Sequence, residues 1–342
     1  MVILRNVPLS AYSTMRLGGK AAYLAEVTDK AEIDEGVRWA DGRGLPVLMI
    51  GTGSNVIWQD SGFEGLVLVN KLLGFDIFDE DDENLYVTVG AGENWDSVVE
   101  RVVNLGCSGI EELSLIPGSA GATPVQNVGA YGRELKDTLT TVEAYDRQSK
   151  KFVTIAGADC DFGYRKSRFN GKDKGRYFIS YLTLHLLKQP PQQPFYESVA
   201  SYFKDHGITT FTAQTVRDAV IAIRSAKLPD PNIVANNGSF FYNPIIDQQQ
   251  QQRLLVDFPD MVYWPTDDNK VKVSAAWLLE KAGFKDMHDT ETGMSTWPKQ
   301  PLILVNEHAT STANLLQFKQ KILDKVKAMF QIELVQEPEV LP

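Results

Sequence analysis

Apolar residues recur along this chain in two rhythms, one of period two and one near 3.6. Together they predict a mixture of short strands and amphipathic helices. "AYLAEV", around 21–27, reads as a strand, and Asp29 to Gly42 then sets Ile33, Val37 and Ala40 at helical spacing before its glycine stop. "LPVLMI" is a short buried strand that runs straight into "GTGSN". Between Gly65 and Gly90 the segments "LVLVN", "FDIFDE" and "NLYVTVGAG" are strands, followed by a helix from Trp95 to Leu105. Further strands are expected at 138–147, 151–155 and 177–187, and a helix from Ala213 to Ala226 with Val216, Val220 and Ile223 on one face. "LILVN" is a strand, and the helix after Thr310 buries Leu315, Ile322, Val326 and Phe330. A last strand is expected to carry "EPEV". This pattern is α+β, with more strand than a doubly wound fold would show.

Three segments interrupt the periodicity. "IPGSAGATPVQNVGAYG" (116–132) is a long loop of small residues, and "KQPPQQPFYE" (188–197) is a linker or lid. The five glutamines Gln248 to Gln252 are the solvated face of a helix.

Composition narrows the function more than the fold. A chain of 342 residues with 43% hydrophobic and 23% charged residues is ordinary globular protein with room for two or three domains. A net charge of −10 argues against nucleic acid as a partner, and an anionic substrate would need a local Arg or Lys cluster. No apolar run approaches the length of a bilayer span, and the N-terminus lacks the pattern of a secretory signal. Cys107 and Cys160 show no metal or redox spacing and are expected as free thiols, so a cytoplasmic protein is expected.

Two glycine-rich loops invite a diphosphate. Gly118, Gly121, Gly129 and Gly132 lie in one, and Gly51 and Gly53 in the other, where backbone N–H groups can approach a phosphate closely. A flexible surface loop is the plain alternative. A dinucleotide fingerprint of the Rossmann type fails at Val56, and neither loop is followed by a Walker lysine.

Ser239, in "NNGSFFYNP", is not a hydrolase nucleophile, because none of the four histidines lies in an informative motif and G-x-S-x-G is absent. An unactivated serine can still give a proton to a strongly basic carbon if its geometry is fixed. Gly238 would turn the backbone so that the hydroxyl projects, and Phe240 and Phe241 would keep the place dry. A turn serine bonded to its own backbone is the commoner fate. Arg165, in "DFGYRKSRF", could clamp a carboxylate with both arms of its guanidinium or merely form a surface ion pair, and Glu337 stands before a proline at the end of a strand.

The segments "YSTMRLGG", "GTGSNVI", "IPGSAGATPVQNVGAYG", "FGYRKSRF", "RSAKLPDP", "NNGSFFYNP", "LILVN" and "EPEV" occur in that order. From about Tyr12 to Glu339 the chain closely resembles the UDP-N-acetylenolpyruvoylglucosamine reductase family, in its longer-loop form. The resemblance implies an FAD-binding module of the vanillyl-alcohol-oxidase (PCMH) type, about 14–188, with a C-terminal α+β substrate domain. The implied division is 1–70 and 71–212 for two FAD subdomains, 213–330 for substrate, and 331–342 for a strand carrying Glu337.

It also implies non-covalent FAD, NADPH as hydride donor, and reduction of UDP-N-acetylglucosamine enolpyruvate to UDP-N-acetylmuramate by a monomer without metal. Hydride would reach the methylene carbon and a proton the alpha carbon. By the same resemblance Arg165, Ser239 and Glu337 are catalytic. Gly51, Thr52, Gly53, Ser54, Asn55, Ser119, Gly121, Ala122, Thr123, Val125, Gly129 and Tyr131 hold the flavin. Tyr164, Tyr196, Lys227 and Asn243 meet the substrate, Tyr196 as the lid tyrosine.

Ala122 stands where some relatives carry a hydroxyl toward the phosphates, for which Ser119 or Thr123 would compensate. The segment after Glu337 is expected to be loosely anchored. An oxidase on the same scaffold and a nucleotide-sugar binding protein are the alternatives.

Overall fold

The computed structural model describes residues 1–266 and 268–342. The chain divides into two units. The first comprises Met1–Val7, Ala21–Thr52 and Glu64–Ala226, the second Pro8–Lys20, Gly53–Phe63 and Lys227–Pro342.

In the first unit, strands Leu4–Pro8, Lys20–Val27, Phe63–Asn70 and Val47–Ile50 form a sheet in that order. Val47–Ile50 runs parallel to Phe63–Asn70, and Phe63–Asn70 is almost wholly buried, as a strand covered on both faces must be. The helix Lys30–Asp41 is capped by Asp29, whose carboxylate accepts the Glu32 N–H, and it buries Ile33, Val37 and Ala40 against Leu66 and Leu68.

A second sheet has the order Lys151–Ala156, Leu139–Asp146, Tyr177–Leu187, Asn84–Gly90, Phe75–Glu80, antiparallel throughout. Along Asn84–Gly90 the residues Leu85, Val87 and Val89 point inward at period two and meet Val98, Val99 and Val102 of the helix Trp95–Asn104.

The second unit is built on the sheet Asn236–Ser239, Gln300–Asn306, Met294–Trp297, His288–Asp289. The helix Thr312–Phe330 packs Leu315, Phe318, Ile322, Val326 and Phe330 into its core, as the 3.6 rhythm required. A smaller sheet orders Ile245–Asp247, Lys270–Val273 and Tyr263–Pro265. Glu339–Leu341 lies parallel to Val56–Trp58, with the Glu339 N–H donating to the Asn55 carbonyl at 2.9 Å.

Three expectations change here. Glu337 lies ahead of the final strand rather than in it, because Pro338 brings no N–H and pairing with Val56–Trp58 starts at Glu339. Residues beyond Glu337 are anchored by that ladder, not loose. Phe240 and Phe241 do not line a cleft; both are fully buried, edge to face at 5.2 Å, in the core of the second unit.

The helix Glu197–Asp205, with Val199 and Phe203 inward, follows directly on the stretch expected to be linker or lid. Both cysteines are free and buried. Among the described residues no helix is long and apolar enough to cross a membrane.

Candidate active site and family

In the first unit the two glycine-rich loops meet. A Cβ on Gly51 would overlap the Ser119 hydroxyl, so only glycine leaves the space between the strand end at Ile50 and the loop at Ser119. Gly121 approaches Ala91 so closely that a Cβ would stand 2.5 Å from the alanine methyl.

The loop is also tied by its own amides. Ala120 donates to Glu93, Gly121 to Ala91, Ala122 to Ser119 and Thr123 to Ala120. These four N–H groups are therefore spent within the protein rather than gathered as an open nest. The Thr123 hydroxyl donates to the Ala120 carbonyl at 2.7 Å, so its one proton cannot replace the donor missing at Ala122. That expectation falls to Ser119.

Arg165 stands at the tip of a two-residue turn closed by reciprocal bonds between Gly163 and Lys166 at 3.0 and 3.1 Å. Its φ of 53° is the left-handed region that a turn tip demands, and Asn170 holds its carbonyl at 3.1 Å. One guanidinium nitrogen donates to the Gly129 carbonyl at 2.9 Å, and the rest of the head lies 5.5 Å from the Tyr164 ring centroid.

Two residues that the sequence reading passed over fix this turn to the loop. The Asn127 amide donates to Gly163 O and Glu134 Oε2 and accepts from the Lys136 N–H. The Ser167 hydroxyl donates to Val125 O at 2.6 Å. Both are fully buried. A lone Asn in "QNVG" was the only available signal.

The stretch carrying Tyr196 forms one wall of a concavity of about 420 Å³ lined also by Glu112, Tyr131, Gly132 and Arg133. Tyr196 meets Tyr131 edge to face, with centroids 5.8 Å apart at 87°. Glu112 of this lining and its neighbour Glu111 are buried, each with one carboxylate oxygen that has no partner. Burial first, and the neighbouring Glu112 charge second, push Glu111 up to about 7. Burial likewise raises Glu112, against the pull of Arg133, whose Nε lies 3.5 Å from its Oε1.

In the second unit Ser239 ends the strand Asn236–Ser239, exposed, opposite Ile303. The Asn236 carboxamide accepts the Gly238 N–H at 2.8 Å and sets Gly238 at φ 70°, the turn expected of a glycine there. Among the described residues the Ser239 hydroxyl bonds neither its own backbone nor any side chain. The next residue, Phe240, accepts the Glu337 N–H at 2.9 Å, and Tyr242 donates to Val335 O, so the segment of Glu337 is laced to that of Ser239.

Asn243 uses its carboxamide oxygen on the Ala275 N–H at 2.9 Å, which leaves its NH₂ as the group to offer a ligand. Lys227 ends the helix Ala213–Lys227 exposed, its carbonyl taken by Trp297 Nε1. In the same unit Gly53 sits at φ 75°, where a Cβ would strike the Tyr12 carbonyl. In the first unit, a loop pared to glycine at Gly51 with the Ser119 hydroxyl against it fits a nucleotide diphosphate.

Residues 21–154 match the family model of an FAD binding domain, and residues 230–341 that of the UDP-N-acetylenolpyruvoylglucosamine reductase C-terminal domain. The UDP-N-acetylenolpyruvoylglucosamine reductase of Ralstonia nicotianae is 39% identical over 339 residues, 98% of each chain. That of Pseudomonas aeruginosa is 38% identical over 330 residues, 96% of each. The crystal structure of UDP-N-acetylenolpyruvylglucosamine reductase (MurB) from Thermus caldophilus superposes over all of both chains with a TM-score of 0.69 at 21% identity, which speaks to fold. This chain belongs to the UDP-N-acetylenolpyruvoylglucosamine reductase family and is an FAD-dependent oxidoreductase of the α+β class.

Proposed function

We propose that this protein reduces the enolpyruvyl ether of UDP-N-acetylglucosamine enolpyruvate to UDP-N-acetylmuramate, with NADPH as electron source, in peptidoglycan precursor synthesis. The chemistry that FAD supplies when bound is hydride delivery to the methylene carbon after reduction by NADPH. Ser239 holds the proton for the alpha carbon. Its O–H bond breaks as the C–H bond forms, and the carbanion is basic enough that an ordinary serine suffices.

Arg165 pairs its guanidinium with the substrate carboxylate, into which the negative charge spreads. Glu337 steadies that charge as a neutral donor or through a bridging water. Lys227 meets the substrate diphosphate, and Tyr164, Tyr196 and Asn243 position the rest. Gly51 to Asn55 and the loop from Ser119 to Tyr131 receive the flavin nucleotide.

One observation carries the assignment of Ser239: its hydroxyl is exposed on a backbone fixed from both sides and spends no bond on the protein. A capping serine would have spent it.

The test is anaerobic stopped-flow absorbance of the flavin in wild type and Ser239→Ala. NADPH should bleach both at similar rates. The enolpyruvyl substrate should restore colour in wild type, and about 10²–10⁴-fold more slowly in the variant. If both half-reactions slow together, the serine is structural. Colour returning as fast with air as with substrate would make the protein an oxidase, and protein that stays colourless in excess FAD would make it a binding protein.

A further inference from the structure

Asn237, the residue two before Ser239, is 5% exposed, and its two amide atoms differ sharply in company. Nδ2 faces Thr14 Oγ1 at 3.1 Å, Ser54 O at 3.2 Å and Val56 O at 3.3 Å. Two of those three are carbonyls that only accept, so the orientation of the amide is fixed: NH₂ toward the "GTGSN" loop, oxygen away from it. Oδ1 is buried and has no partner. Its neighbour Asn236 differs, with Nδ2 on Val234 O and Oδ1 on the Gly238 N–H. An acceptor that is buried and left unmet is a costly feature unless a donor arrives from outside the chain.

We infer that Asn237 is a flavin-binding residue: Oδ1 accepts a hydrogen bond from FAD, given by a ribityl hydroxyl or a ring N–H, while Nδ2 holds the Ser54–Val56 backbone in the shape that receives the cofactor. The inference rests on the reading of this chain as an FAD protein. It gives the "NNGS" segment two tasks, since the strand that presents the Ser239 hydroxyl also registers the flavin against it. Asn237 has no side-chain signature of its own in the sequence, and only the count of its partners exposes it.

The experiment titrates FAD into apoprotein of wild type, Asn237→Ala and Thr14→Val, following flavin fluorescence and the far-ultraviolet circular dichroism melt. Thr14→Val removes one Nδ2 partner and leaves Oδ1 untouched. Asn237→Ala should raise the FAD dissociation constant by about 3- to 10-fold, the range of one net hydrogen bond, with Thr14→Val close to wild type. Riboflavin and lumiflavin then locate the donor: a loss retained with lumiflavin places it on the ring, and a loss seen with riboflavin alone places it on the ribityl chain.

An unchanged dissociation constant in folded Asn237→Ala overturns the contact. So does an equal loss in Asn237→Ala and Thr14→Val, which would leave loop shaping as the residue's one task. If Asn237→Ala does not fold, Asn237→Ser keeps a small acceptor in place and should bind FAD more weakly than wild type; equal binding overturns the inference. Wild type that fails to bind FAD would instead sink the reading beneath it.

Discussion

The Glu337 N–H donates to the carbonyl of Phe240, the residue next to Ser239, at 2.9 Å. That backbone bond fixes the Glu337 segment whichever side chain it carries, and Gln keeps the shape of Glu. Glu337→Gln is expected to melt within about 1 kcal/mol of wild type while flavin reoxidation by the enolpyruvyl substrate slows on the order of 10²-fold. Paired denaturation and stopped-flow measurements check it, and equal loss in the NADPH step would remove Glu337 from the chemistry.

The contact between Gly51 and Ser119 predicts a compensating pair. Gly51→Ala drives its methyl into the Ser119 hydroxyl and should weaken FAD binding at least tenfold. Gly51→Ala with Ser119→Gly clears the overlap and should recover part of that loss. Equilibrium dialysis of FAD against the three variants decides, and no recovery would mean the two loops are not in contact.

Tyr196 and Tyr131 meet through their rings, so Tyr196→Phe keeps the contact and deletes only a hydroxyl. Steady-state kinetics should show KM for the enolpyruvyl substrate up by about 3- to 10-fold, the worth of one hydrogen bond, and kcat within about twofold. An unchanged KM would leave Tyr196 as packing.

Glu111 gives the stability of this protein a pH dependence of unusual sign. Its folded value of about 7 lies above the ordinary 4.5, so the folded state holds the proton more tightly than the unfolded chain. That contribution is complete below about pH 4.5 and is lost as pH rises through 7. Urea midpoints should fall between pH 5 and pH 8 by an amount corresponding to about 2–3 kcal/mol, and Glu111→Gln should reduce the fall. Glu112, also raised by burial, keeps a remainder of the fall; an undiminished slope in Glu111→Gln would lay the effect elsewhere.

Arg217 grips Asp96 with two nitrogens, at 2.6 and 3.2 Å, and the same carboxylate accepts the Leu115 N–H at 2.6 Å just before the long glycine-rich loop. Arg217 is buried, so Asp96→Ala strands its charge and should cost about 3–5 kcal/mol by chemical denaturation. Loss of less than about 1 kcal/mol would class the pair with ordinary surface bridges.

The sequence was most legible where periodicity and burial coincide. The helix Thr312–Phe330 and the strand Asn84–Gly90 declare their inner faces residue by residue. It was least legible where one residue does two things. Phe240 and Phe241, next to Ser239, read as walls that keep a cleft dry, yet alternation is broken at the Gly238 turn and both rings enter the core. Thr123 offers a hydroxyl in the one-letter code but has already committed its proton to Ala120. The helix Glu197–Asp205 was hidden because the proline and glutamine run ahead of it drowns a two-residue apolar stripe, Val199 and Phe203. Asn237 acts through three partners far away in sequence, and Asn127 ties its own loop at Glu134 and Lys136 to the distant Gly163, which no local pattern encodes.

The ladder between Glu339–Leu341 and Val56–Trp58 bears on how the protein is made. Residues that leave the ribosome early, 53–63, find their sheet partner only when residues past 338 have emerged. The first unit gathers its chain by residue 226 and can settle during synthesis, whereas the second waits for residues past 338. A nascent chain stalled before that ladder would thus hold Ser239 on a strand whose neighbouring segment, Glu337 to Leu341, has yet to arrive.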